Sequence, residues 1–190
     1  MTSAAARCTV PAMPPPPPPL PPSVHLTRLR DGHAEAVLAF ERENRGYFAR
    51  SVPDRGDDYF TRFASRHAAL LAEQETGLCH FHVLLDDHGA VLGRVNLVDV
   101  ADGSADLGYR IAERATGRGL AAAAVREIRA RAATDYGLTA LTAATTLDNP
   151  ASRAVLTRNG FVPAGDIELD GRPGTRFRLR IGQWISSSHA

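Results

Sequence analysis

The segment "SADLGYRIA" (104–112) alternates apolar and polar residues and runs straight into "ERATGRGLAAAAV" (113–125). Alternation of this kind marks a half-buried strand, while Leu120, Ala124, Val125 and Ile128 recur on one side of a helix expected over about 118–135. A strand that passes two glycines before a helix constrains the fold more than any other stretch of the chain. Gly117 and Gly119 carry no Cβ, so an anion can approach the main chain closely. The first N–H groups of the helix and its dipole would then hold that anion.

The glycines formally satisfy G-x-G-x-x-[GA] through Gly117, Gly119 and Ala122. Two nucleotide readings fail on context. A dinucleotide site needs a turn straight off the strand and an acidic residue about 20 positions on, at the end of the next strand. Here "ERAT" intervenes, and Asp135 still belongs to the helix. A Walker loop needs G-K-[ST], which is absent. What remains is a diphosphate cradle of main-chain amides flanked by Arg114 and Arg118, set against an ordinary glycine-tolerant helix start.

The rest of the chain supplies the frame. "PAMPPPPPPLPPS" (11–23) can form neither helix nor central strand, because proline fixes φ and lacks the N–H, so residues 1–23 are expected to be a loose tail. "VHLTRLR" (24–30) alternates as a strand; Asp31 is expected to cap a helix that ends at Gly46. A long helix over about 57–75 would bury Phe60, Phe63, Ala64, His67, Leu70 and Leu71. "CHFHVLLD" (79–86) and "VLGRVNLVDV" (91–100) read as a hairpin. After the glycine helix come a strand at 138–146, a short helix in "NPASRAVLTRN" with proline near its first turn, and a closing hairpin from "GFVPAGDIEL" and "RFRLRIGQWI". This order gives an α+β fold with one domain over 24–185 and a loose end at 186–190.

Composition narrows the function. The formal charge of +1 gives no general pull toward nucleic acid or an anionic membrane. All 22 basic residues are arginine, with no lysine anywhere. Two cysteines, Cys8 and Cys79, build no disulfide framework, and no apolar run or secretory leader is visible, so a cytoplasmic protein is expected. His80 and His82 share one face of a strand, but no further ligand stands at metal spacing, so no metal is expected. His67 reads as packing.

With these elements in place, "RATGRG" resembles the [QR]-x-x-G-x-[GA] pyrophosphate loop of the GNAT acyltransferase superfamily. "TTLDNPASRAVLTRNGFVPAG" resembles its second signature, a strand end followed by Asn149, a short helix and Gly160–Phe161. "FERENRGYFARSVP" and "LGYRIAERATGRGLA" are similar to the RimJ/RimL-like branch, N-terminal acetyltransferases of ribosomal proteins. The resemblance covers about 24–185 and implies an acyl-CoA N-acyltransferase fold. Its sheet is mixed and mostly antiparallel, carries helices on both faces, and splays between the strands at 104–112 and 138–146 to admit acetyl-CoA.

The resemblance implies direct attack of an amine on the thioester within a ternary complex. It puts the diphosphate on the amides of Gly117, Arg118, Gly119, Leu120 and Ala121, with Arg114 nearby. The pantetheine arm would lie along Tyr109, Ile111 and Ala112, with an Ile111 N–H facing the thioester oxygen and Asn149 touching the arm. The family's usual acid, a tyrosine, is replaced here by Thr157; Ser152 stands where the ribosomal-protein branch uses a serine, and Glu168 near where it has a glutamate base. Asn44, Arg45 and Tyr47 would border the acceptor. A protein N-terminal α-amine, a small-molecule amine such as a polyamine or an antibiotic, and a non-catalytic acyl-CoA-binding role all stay open, as does monomer or homodimer.

Overall fold

A computed structural model describes residues 15–182. Cys8 and residues 186–190 lie outside them. The chain runs β1 (Val24–Arg28), α1 (Ala34–Glu43), α2 (Arg45–Phe48), α3 (Asp57–Thr61), α4 (Phe63–Glu75), β2 (His80–Asp86), β3 (Val91–Ala101) and β4 (Ser104–Ile111). It continues as α5 (Leu120–Thr134), β5 (Ala140–Thr146), α6 (Pro150–Arg158), β6 (Val162–Leu169) and β7 (Arg172–Arg180). The strands form one sheet in the order β1-β2-β3-β4-β5-β7-β6. Each neighbouring pair is antiparallel except β4–β5, which is parallel and needs α5 as its crossover.

The parallel pair is short. Ser104, Ala105 and Asp106 pair with Ala140, Leu141 and Thr142, and there the pairing stops. Beyond that point β4 stays on β3 as far as Ile111, while β5 stays on β7 as far as Thr146. The sheet is therefore splayed, as the resemblance implies.

Helices cover both faces. Arg94 of β3 reaches Glu41 of α1 on one face. Its neighbour Val95 points to the other, where its cross-strand partner His82 meets Tyr136 just past α5. Along α5, Leu120, Ala124, Val125, Ile128 and Ala132 are buried, a spacing that keeps one stripe on the sheet. Gly93 marks the tightest approach in the sheet: a Cβ there would sit 2.7 Å from Ile111 Cδ1 and 2.9 Å from the Arg110 carbonyl.

Several local expectations change. Asp31 opens a 3-10 turn instead of capping α1, and the Arg30 N–H donates to His33 Nδ1 at 3.2 Å. Gly46 does not end the first helix: Asn44 (φ −101°, ψ 6°) interrupts it and Arg45–Phe48 add a further turn. The long helix divides at Arg62, and Tyr59 and Phe63 on either side pack edge to face, ring centres 5.9 Å apart. Ala64 is exposed, and Gln74 takes an inward place because its amide donates to the Leu29 carbonyl and accepts from the Phe81 N–H. Strand β7 begins at Arg172, since Asp170 and Gly171 both take positive φ and close a two-residue turn. The described part of the proline tract, residues 15–22, rests on the domain. Pro17 is buried with its carbonyl accepting from Arg126 Nη1 at 2.7 Å, and Leu20 packs on the core.

Candidate functional site: a cleft through the splayed sheet

The gap beyond Asp106 opens into a cleft of about 460 Å³, ample for a small ligand or an extended coenzyme arm. Tyr109 and Arg110, consecutive in β4, both line it. Successive strand side chains point to opposite faces, so the cleft passes through the sheet beside β4. One end lies under α5 and α6, the other under α2.

The α5 end is built from main chain. Gly117 and Gly119 have φ of +73° and +75°, a region L side chains rarely enter, and nothing lies within 4 Å of where a Cβ would be. Gly119 is the N-cap of α5, and among the described residues no side chain caps the helix there. The N–H groups that open an α-helix have no partner within it, so those of Leu120 and Ala121, both lining the cleft, are free to meet an anion there. Small walls at Ala122, Ala151 and Ala154 keep the approach open. Arg114 and Arg118 are exposed and outside the lining; the cation at this end is Arg158 of α6.

The middle brings β4 against α6. The Ala112 N–H donates to the Leu92 carbonyl at 2.8 Å, and its own carbonyl accepts from Ala115, so Ala112 offers a ligand no free backbone group. An antiparallel ladder alternates the direction of its hydrogen bonds. With residue 112 bonded toward β3, the backbone groups of Tyr109 and Ile111 face the gap. Asn149 caps α6, its Oδ1 accepting from the Ser152 N–H at 3.0 Å. That bond sets Ser152 Oγ 2.9 Å from the Tyr109 hydroxyl, which also reaches the Ser152 carbonyl at 3.3 Å. Burial pushes the Tyr109 phenol up to about 12, against the lowering effect of the Ser152 hydrogen bond. Thr157 is exposed and does not line the cleft.

The α2 end is built from side chains. Tyr47, Phe48, Ser51, Val52 and Arg110 line it, and the Arg110 guanidinium lies over the Phe48 ring at 4.9 Å. Asn44 is committed elsewhere. Its Nδ2 donates to the Phe40 carbonyl and its Oδ1 accepts from the Glu113 N–H, both at 2.8 Å, which fastens the end of α1 to the turn after β4. Arg45 turns away to Asp54 and Asp57, each at 2.6 Å. Glu168 is exposed on edge strand β6 and outside the lining. Phe48, Arg110, Arg158 and the Tyr109 side chain were not marked as site side chains from sequence. The period-2 pattern of β4 held the signal for Tyr109 and Arg110, because a strand beside a gap sends consecutive side chains to its two mouths.

His67, His80 and His82 are accounted for by packing. His67 Nε2 sits 3.1 Å from the Arg30 carbonyl, His80 stacks on Tyr136 at 3.6 Å, and His82 Nε2 lies 2.8 Å from the Tyr136 hydroxyl. Among the described residues there is no group of three or more His, Cys, Asp or Glu placed to hold a metal, and no helix long and apolar enough to cross a membrane.

Comparison with known proteins agrees with this architecture. Residues 23–162 match the acetyltransferase (GNAT) domain family. No curated protein sequence matches the chain. Among solved structures, the chain is similar to the ribosomal-protein-S5-alanine acetyltransferase of Vibrio fischeri (TM-score 0.80, 18% identity, 86% of this chain and 96% of that one). It is similar also to Mycobacterium smegmatis RimJ in complex with CoA-disulfide (TM-score 0.76, 26% identity, 86% and 85%). A third is the spermidine N-acetyltransferase of Vibrio cholerae in complex with CoA and spermine (TM-score 0.71, 17% identity, 86% and 99%). The chain belongs to the GNAT family of acetyl-CoA-dependent N-acetyltransferases.

Proposed function

We propose that this enzyme acetylates the α-amine of a protein or peptide N-terminus. The observation that carries the reading is the cleft itself: uncapped helix amides at one mouth, an aromatic mouth across the sheet, and a hydroxyl pair between them. The donor set suits acetyl-CoA. Two positive-φ glycines, bare amides and Arg158 match a diphosphate, and the unpaired edge of β4 matches an amide-bearing arm.

When bound, acetyl-CoA supplies an electrophilic thioester carbon and a departing thiolate. The amides of Leu120 and Ala121 hold the diphosphate. The backbone edge of Tyr109 and Ile111 would take the arm as an added strand, and the Ile111 N–H would be the donor for the carbonyl oxygen where negative charge builds. Ser152 Oγ would hold a proton for the leaving sulfur, replenished from solvent through the Tyr109 hydroxyl, while the proton shed by the acylated nitrogen would pass to water. Asn149 acts by positioning Ser152 through its N–H. The acceptor enters past Tyr47 and Phe48. An α-amine titrates near 8, so loss of its proton to water at neutral pH needs no dedicated carboxylate. Glu168 would serve only if the edge strand moved inward.

Release of free CoA, followed with a panel of N-terminal peptides and small amines, tests the reading. Ser152→Ala should lower kcat about 100-fold and leave the coenzyme Kd unchanged. Tight coenzyme binding with no acceptor turned over would instead favour an acyl-CoA-binding role.

A further inference from the structure

The α2 mouth carries unbalanced charge. Glu41 is 2% exposed, and both its oxygens are taken: Oε1 by Arg94 Nη1 at 2.9 Å and Oε2 by Arg110 Nη1 at 3.1 Å. Arg55 Nε stands 3.9 Å from the same Oε2. Three guanidiniums therefore share one carboxylate. Of the other acids nearby, Glu113 pairs with Arg50, while Asp54 and Asp57 share Arg45, so these five arginines and four carboxylates leave one positive charge over. The buried Arg94 Nε has no hydrogen-bond partner among the described residues. Burial holds Arg110 below the usual arginine range; Arg55 and Arg94 act in the same direction and Glu41 against it.

Arg110 bridges this cluster and the cleft. Arg110 lines both the cleft and the small chamber that takes in Glu41, Arg55 and the Arg45–Asp54 pair. Among the described residues, the charged ones lining the cleft are Arg110 and Arg158, with no carboxylate beside them. Arg158 faces the α5 end, which leaves Arg110 as the charge an acceptor meets. A polyamine would bring further positive charge to a partly desolvated cation. A carboxylate would supply the missing counter-charge and fit the planar fork of a guanidinium.

We propose that Arg110, with Arg55 behind it, selects amine acceptors that carry a carboxylate close to the reacting nitrogen, such as peptides with Asp or Glu in the second or third position. The spacing suits this. Tyr109 and Arg110 point to opposite faces of the sheet, so an extended peptide entering by the α2 mouth passes Arg110 before its amine reaches Tyr109; at about 3.3 Å per residue, a side chain at the second or third position is the one left beside Arg110. The proposal rests on the acetyltransferase reading for its chemistry but not for its binding.

Three peptides alike except at positions two and three (Ser-Asp-Asp, Ser-Asn-Asn and Ser-Lys-Lys followed by a common tail) and spermidine form the test. By CoA release, kcat/KM for the Asp peptide should exceed that for the Asn peptide about tenfold, with the Lys peptide and spermidine lower still. Fluorescence anisotropy of the tail-labelled peptides on enzyme without coenzyme should give the same order of Kd. Arg110→Gln should erase the Asp-over-Asn ratio. Arg55→Gln, at a more exposed position, should reduce it to about threefold and decides the matter if Arg110→Gln does not fold. Equal use of Asp and Asn peptides, or preference for Lys or spermidine, overturns the proposal. If no amine turns over, the catalytic reading falls, and the anisotropy order alone supports or overturns the charge selection.

Discussion

The two mouths of the cleft are made of different material. At the α5 end the ligand-facing groups are main-chain amides, set by two glycine φ angles and the first turn of a helix. At the α2 end they are side chains whose places depend on partners far away in sequence, such as Glu41 holding Arg94 and Arg110 across 53 and 69 residues. A main-chain site needs few particular residues and suits a diphosphate that never changes. A side-chain site can be rewritten by substitution, and substrate choice belongs there.

The largest break in that comparison should come from Gly117→Glu. A residue with a Cβ at φ +73° costs about 1–2 kcal/mol, which drives the loop out of shape, and the new carboxylate repels a phosphate. Coenzyme affinity should fall about 300-fold by titration calorimetry, an effect of about 3.4 kcal/mol. The coenzyme-free anisotropy of acceptor peptides should stay as it was. If both ligands weakened alike, the two mouths would not be separable.

That difference also governs how much was legible beforehand. The strand, double glycine and helix of residues 104–134 announce themselves through local rules, and the structure follows them almost residue for residue. The splay was carried by resemblance alone, because nothing local says that β4–β5 pairing stops at Asp106. At the other mouth, proximity in sequence misled. Asn44, Arg45 and Tyr47 sit together in the chain, yet only Tyr47 lines the cleft; Asn44 closes a helix onto a turn and Arg45 closes a loop onto two aspartates. Glu168 stands near the branch's glutamate by resemblance, and its exposure on the edge strand is a property of sheet order that the resemblance does not carry.

A second experiment asks whether the two ends stand on one foundation. His82 is fully buried in the sheet that carries both, beside Val95 and against Tyr136. Burial foremost, then the Arg131 charge, pushes its imidazole down to about 4 from an ordinary 6.5. The unfolded chain therefore takes up a proton that the native state refuses. Stability is at its full value above pH 6.5 and declines as the pH falls toward 4, by up to about 3 kcal/mol. Urea unfolding at pH 7 and 5 should show this slope, and His82→Phe should flatten it. Coenzyme and peptide binding should be lost together along the acid limb; loss of one before the other would show that the mouths unfold separately.

The smallest expected effect falls where the two materials meet. Tyr109 offers its backbone to the α5 side of the cleft and its hydroxyl to Ser152 Oγ, so it belongs to both constructions at once. Tyr109→Phe keeps the strand, the ring and the unpaired edge, and removes the hydroxyl's 2.9 Å contact with Ser152 Oγ together with its weaker one, at 3.3 Å, to the Ser152 carbonyl. If the hydroxyl returns a proton to Ser152, kcat should drop about fivefold, near the net worth of one such bond, while the coenzyme Kd stays put. Because the phenol is raised to about 12, the wild-type rate should not decline on the alkaline side from loss of this proton until well above pH 10. A Tyr109→Phe enzyme whose coenzyme affinity fell as much as its kcat would assign the side chain to packing. The link between the main-chain mouth and the reacting centre would then rest on Asn149 and Ser152 alone.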